Sequence, residues 1–158
     1  MCCSRAFGAA FQVPGFKLQV SSYRVRVPSF KFMATFRQFE DIQAWKDSMS
    51  LAESVYLESQ RGAFSKDFAL RDQMRRAAIS VSSSIAEGFE RTSPQEFARF
   101  LSIAKGSVGE LRSQLHLARR LGYLTDEQAE SLHNLALSTG RKIAKLILYL
   151  QNPKHPQA

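Results

Sequence analysis

The chain has 158 residues, 44% hydrophobic and 23% charged, and its 22 Lys and Arg against 14 Asp and Glu give a formal charge of +8. That length suits one domain with a sizeable core, and the composition excludes disordered and collagen-like chains. No apolar run approaches the roughly 18 residues a membrane span needs, and the two cysteines, Cys2 and Cys3, are adjacent, which excludes a disulfide scaffold and points to a reducing, cytoplasmic setting.

Charge is distributed unevenly. Residues 1–32 carry Arg5, Lys17, Arg24, Arg26 and Lys31 with no acid, a net +5, whereas residues 33–158 hold 17 basic and 14 acidic residues, a net +3. The first stretch has no helical period, and Pro14, Gly15 and Pro28 break it. Residues 1–34 are therefore read as a disordered extension, with three explanations open: a targeting presequence, a nucleic-acid-binding arm, or an upstream extension that is not translated. The last is preferred, because Met33 opens Met-Ala-Thr-Phe directly before the first patterned segment.

From residue 39 the apolar residues step in threes and fours, the spacing of one helical stripe, and nothing alternates as a strand does. Ile42, Trp45, Met49, Ala52 and Tyr56 predict a helix over 41–60, stopped at Arg61-Gly62. Leu70, Met74, Ala78, Val81 and Ile85 predict a second, capped by Ser65 or Asp67 and ending near Gly88 to Glu90. Ser93-Pro94-Gln95-Glu96 reads as a capping box that opens a third helix carrying Phe97, Leu101, Ala104, Val108, Leu111, Leu115 and Ala118, with Gly122 as its stop. At about 1.5 Å per residue this helix spans about 42 Å. Thr125 to Gln128 is a second capping box, followed by Ala129, Leu132, Ala136, Thr139, Ile143, Leu146 and Leu150, and Asn152-Pro153 closes the pattern. Short links between long amphipathic helices imply an all-α, antiparallel up-down-up-down four-helix bundle over 35–152, with 153–158 as a tail.

Catalytic signatures are missing. His116, His133 and His155 have no His or Cys at ligand spacing, Glu130 with His133 is a single Glu-x-x-His pair where a di-iron bundle needs two, and Gly106 to Gly109 lacks a Walker loop's Gly-Lys-Ser/Thr. No metal, cofactor or enzymatic activity is expected. Two patches exceed what packing asks for. Ser80, Ser82, Ser83 and Ser84 crowd a helix interior ahead of Glu87, and Gly106, Ser107, Gly109 and Glu110 place two glycines mid-helix at about 1 kcal/mol each relative to alanine. The expectation is a close seam between helices two and three, with Ser84, Glu87, Gly106, Ser107 and Glu110 as its polar members. An enzyme reading, the third in rank, rests on Glu87 and Glu110 meeting in a pocket.

Basic residues form further patterns. Arg71, Arg75 and Arg76 cluster on helix two; Lys105, Arg112 and Arg119, seven residues apart, predict a straight exposed stripe on helix three; Arg141, Lys142 and Lys145 follow on helix four. Three such clusters favour an anionic partner, bound through phosphates rather than bases because no recognition helix or aromatic platform is visible.

Over about residues 39–124 the chain resembles the small bacterial four-helix bundle proteins encoded by intervening sequences in 23S ribosomal RNA genes. The matching segments are Phe39 to Trp45, Leu70-Arg71-Asp72-Gln73-Met74-Arg75-Arg76-Ala77-Ala78, Ser80 to Gly88, Glu96 to Ser107, Glu110, and Leu121-Gly122-Tyr123. That family usually has a proline near Ser82 and an asparagine at Ser84, from which this serine run departs. The resemblance implies a homo-oligomer, a pentameric barrel in the related accessory protein of diversity-generating retroelements, whose basic surface engages a reverse transcriptase and its RNA. By position it marks Arg71, Arg75 and Arg76 as anion contacts and Glu87 and Glu110 as seam residues. The preferred reading is thus a non-enzymatic oligomeric bundle binding RNA or a nucleoprotein; the alternative is a structural protein-protein interaction module that binds no nucleic acid.

Overall fold

A computed structural model describes residues 36–91 and 93–151; the expectations for residues 1–34 and for the tail from 153 lie outside these. Four helices account for most of them: α1 (Gln43–Ser59), α2 (Phe68–Glu90), α3 (Pro94–Arg120) and α4 (Asp126–Gln151). Short 3-10 turns at Phe39–Asp41 and Gly62–Lys66 precede α1 and α2, and no strand occurs among the described residues.

Each helix packs on its chain neighbours, α4 closes the ring on α1, and diagonal helices do not meet. Cross-links run in opposite chain directions. Gln73 bonds Glu110 while Ser80 meets Ser107, Arg119 meets Asp126 while His116 meets His133, and Asp47 holds Lys142 while Glu58 holds Gln128. All neighbours are therefore antiparallel, as short connections require.

Local chemistry sets the helix ends. The Leu70 backbone N–H donates to the Asp67 carboxylate at 3.1 Å, so Asp67 rather than Ser65 caps α2. At α4 the box is complete: the Gln128 N–H donates to Thr125 Oγ1 at 3.2 Å and the Thr125 N–H to Gln128 Oε1 at 2.9 Å. The box expected at α3 is not formed. Ser93 instead donates to Gln95 Oε1 at 2.9 Å, and Pro94 starts the helix without a side-chain cap. α3 ends in a Schellman turn: Gly122 (φ 73°) donates to Arg119 O and Tyr123 to Ala118 O, a left-handed position where glycine carries no steric penalty.

The buried stripes of α2, α3 and α4 follow the sequence spacing, with Leu146 and Leu150 half-buried. In α1 the stripe is rotated: Ala44, Ser48, Leu51, Val55 and Ser59 are buried, Met49 is exposed, and Trp45 and Tyr56 lie at the margin. Rotation is tolerable because Ser48 donates to Trp45 O at 2.6 Å and Ser59 to Tyr56 O at 3.2 Å, so neither buried hydroxyl lacks a partner. Phe64, from the α1–α2 link, is also buried and stacks on Tyr123 with centroids 5.1 Å apart, which ties this link to the α3–α4 turn.

At Gly88 α2 and α3 approach closely: a Cβ there would lie 2.5 Å from Phe100 Cβ and 2.9 Å from Phe97 Cδ2. Gly88→Ala is expected to lower the unfolding free energy by about 1–3 kcal/mol despite alanine's better helix propensity. Urea denaturation of the variant beside the parent chain measures this.

Candidate nucleic-acid interface

The arginines of α2 are engaged within the fold, Arg75 by α1, Arg71 by the α1–α2 link and its own helix, and Arg76 by Gln73 of its own helix. Arg75 donates through Nε to Ser59 Oγ at 2.8 Å, and its guanidinium sits 4.6 Å from the Tyr56 ring centroid. Arg71 pairs with Asp72 at 2.7 Å, donates to the Ser65 carbonyl at 2.8 Å and covers the Phe68 ring at 4.5 Å, leaving its side chain only 19% exposed. Its hydrogen bond also holds the Asp72 carboxyl below the ordinary range. Arg76 is exposed but donates to Gln73 Oε1 at 2.6 Å, and Gln73 Nε2 in turn donates to Glu110 at 2.9 Å. All three therefore serve the α1–α2–α3 framework.

The seam predicted between α2 and α3 exists, with different members. Ser84 and Ser107 are buried, and Ser107 donates to Ile103 O at 3.2 Å, so the 2.9 Å contact with Ser80 leaves Ser80 as donor. Glu110 crosses the seam through Gln73 and also accepts from Gln114 at 3.0 Å. Glu87 does not join it; exposed, it pairs with Arg91 on its own helix at 2.8 Å. Since Gln73 lies opposite Glu110, Glu87 is fourteen residues along α2, about 20 Å away, and the two carboxylates do not meet in a pocket. Gly106 is the second correction. It faces outward with nothing within 4 Å of a Cβ, so it does not allow α2 to approach; Gly88 does, and Gly140 does so against Val108 on the α3–α4 side.

The stripe on α3 lies along its α4 flank, fixed there by the Arg119–Asp126 pair (2.7 Å) and the contact of His116 with His133 (centroids 5.1 Å). It is not uniformly exposed. Lys105 and Arg119 are exposed, but Arg112 is half-buried, and its Nε is buried without an acceptor. Val108 faces Gly140, so Lys105, one turn earlier, lies level with the α4 segment bearing Arg141 and Lys145. Lys105, Arg120, Arg141 and Lys145 are exposed and form no ion pair among the described residues, while Lys142 turns to Asp47 of α1. Four open cations thus border the α3–α4 groove, whereas Arg37, Lys46 on α1, Lys66 in the α1–α2 link and Arg99 near the start of α3, also exposed and without an ion pair, lie apart from it. Among the described residues no group of three or more His, Cys, Asp or Glu is placed to hold a metal, and no helix is long and apolar enough to cross a membrane.

Burial, then Arg112, then His116 depress the His133 pKa. Between its ordinary value and this lower one the unfolded chain binds more protons, so stability is constant above the ordinary value and is lost as pH falls through that window. Expected outcomes follow for three side chains. His133→Gln flattens the loss of stability as pH falls below the ordinary histidine value of about 6.5 in denaturant titrations. Arg75→Gln lowers stability by about 1–3 kcal/mol, whereas exposed Lys105→Gln stays within about 0.5 kcal/mol.

Residues 40–145 match the family model described as 23S rRNA-intervening sequence protein. The fold is similar to that of a crystal structure from Bacteroides thetaiotaomicron, described as a protein with unknown function from the S23 ribosomal protein family. The two share 25% identity at a TM-score of 0.61, over 66% of this chain and 97% of the other. No curated protein matches the chain significantly.

Proposed function

Because the chain belongs to the 23S rRNA-intervening sequence protein family, we propose that it is a non-enzymatic, oligomeric bundle that binds RNA, or a nucleoprotein containing it, through the basic α3–α4 face. The observation that carries this reading is the sorting of cations. Those of α2 are engaged by Asp72, Ser59, Gln73 and aromatic rings, whereas four of the chain's open cations, Lys105, Arg120, Arg141 and Lys145, gather around one groove. Exposed cations left unneutralised along one face suit a phosphate backbone, which offers repeated charge without demanding base contacts.

Two features support assembly. Ile103 and Leu117 on α3 are about half exposed, at 47% and 48%, with Gly106 between them on the same outward face. A mid-helix glycine with open space above it loses helix stability without any packing return inside one chain. Close approach by a second copy supplies the return.

The other reading, a protein-protein interaction module without nucleic acid, draws on these same apolar positions and on exposed Phe68 and Ile79 of α2. Salt dependence separates the two. With RNA as ligand, the logarithm of affinity for a single-stranded oligonucleotide falls linearly with the logarithm of salt, and changing Lys105, Arg141 and Lys145 together to Gln weakens binding at least tenfold in low salt and flattens that slope. Filter binding across a salt series measures both, and affinity unmoved by the triple change removes the reading. For assembly, Gly106→Ala is expected to stabilise the isolated helix by up to about 1 kcal/mol while shifting sedimentation equilibrium toward smaller species.

A further inference from the structure

We infer that Arg112, His116 and His133 form an oxyanion site in the α3–α4 groove that accepts a phosphate group and holds it more tightly as the solution becomes acidic. This rests on the RNA-binding reading for the source of the phosphate, though not for the site itself. Three observations meet here. The two imidazoles, from different helices, lie with ring centroids 5.1 Å apart at 62°, and His116 is exposed, so the pair opens to solvent. Arg112 reaches close enough to influence His133 electrostatically. Its Nε is buried and donates to nothing, an N–H left without the acceptor that buried donors nearly always find.

No carboxylate is paired with Arg112, His116 or His133 among the described residues. On α3, Arg119 one turn beyond His116 is held by Asp126, and Arg112 and His116 form no ion pair. On α4, Glu130 lies one turn before His133, is exposed and pairs with neither histidine. The α1 acids that meet α4, Asp47 and Glu58, are engaged by Lys142 and by Arg61 and Gln128. Arg112 and the His116–His133 pair thus border one stretch of the groove with no carboxylate bonded to them, a set of nitrogen donors that a tetrahedral oxyanion would satisfy through charge-assisted hydrogen bonds.

The acid dependence follows from reciprocity. In the empty site a proton on His133 is opposed by burial, Arg112 and His116. An anion between them reverses the electrostatic opposition, so binding draws a proton onto the imidazole, and protonation strengthens binding by the same factor. A rise of one pKa unit on binding corresponds to about tenfold tighter binding below the titration range.

Sulfate is a suitable probe, because its charge does not change over this range. Histidine proton resonances of the full-length chain, titrated between about pH 5.5 and 8 with sodium sulfate or with sodium chloride of equal ionic strength, are expected to show the His133 midpoint raised by at least about half a unit in sulfate, about threefold in affinity. In parallel, single-stranded RNA is expected to bind several-fold tighter at the acid end, with that difference lost in His133→Gln. If the sulfate and chloride titrations coincide, the site is overturned, whatever the RNA result. Should sulfate move the midpoint while RNA fails to bind at either pH, the site stands as one for a free oxyanion and the RNA-binding reading falls. RNA binding whose pH dependence survives His133→Gln, with no sulfate effect, leaves that reading in place and rejects this one.

Discussion

The structure depends on how a long rod covers its apolar side. α3 runs 27 residues, and Leu101, Leu111 and Leu115 along it are fully buried, which a single neighbour cannot achieve. It therefore packs against α2 on one flank and α4 on the other, while α1 closes the far side. Isolated helices are marginal in water, so this shared burial rather than intrinsic propensity holds them, and it allows α2 a serine-rich interior and α3 two glycines. Serine tolerates the interior because its hydroxyl returns to a carbonyl of the preceding turn, as Ser82 does to Ile79 O and Ser107 to Ile103 O.

Charge is arranged around that scaffold with two different purposes. An arginine that stacks on Tyr56 and donates to a buried serine contributes apolar contact and a satisfied hydrogen bond, and its charge is largely consumed in the frame. A lysine with no partner contributes almost nothing to folding and remains available to another molecule. Net charge alone cannot distinguish the two. For Arg75 the difference comes from the order of helices around the ring: the flank of α2 that bears it meets α1, which offers the Tyr56 ring and Ser59.

Much of the architecture was legible in the sequence, since stripes stepping in threes and fours, two of the expected caps and Gly122 set helix type, number and order. What escaped depended on knowing which neighbour each face meets. Counting serine as polar placed the α1 stripe on Trp45 and Met49, although Ser48 and Ser59 are the buried positions. The glycine pair of α3 drew notice as a seam, yet Gly88, a terminal signal by position, is where the backbones crowd. Arg112 continued a seven-residue repeat on paper, yet it is half-buried between two exposed members of that row, and its Nε is buried without an acceptor. His116 and His133 have no ligand at local spacing; their meeting arises between helices, where only the bundle's register reveals it.

The two flanks of α3 also constrain how assembly and binding combine. Ile103, Gly106 and Leu117 share its outward face on the side away from Lys105, Arg112 and His116, about a third of a turn around the helix. In the assembly proposed above, copies joined through the first set would leave the second uncovered, so each added subunit would present one more basic groove to the same polyanion. Weak, nonspecific phosphate contacts in one chain would then combine through effective concentration rather than through tighter individual contacts. On that proposal neither a deep pocket nor a base-reading element is needed to hold a long RNA: repetition of a modest site, at spacing fixed by rigid helices, would supply the affinity that a single groove of exposed lysines lacks.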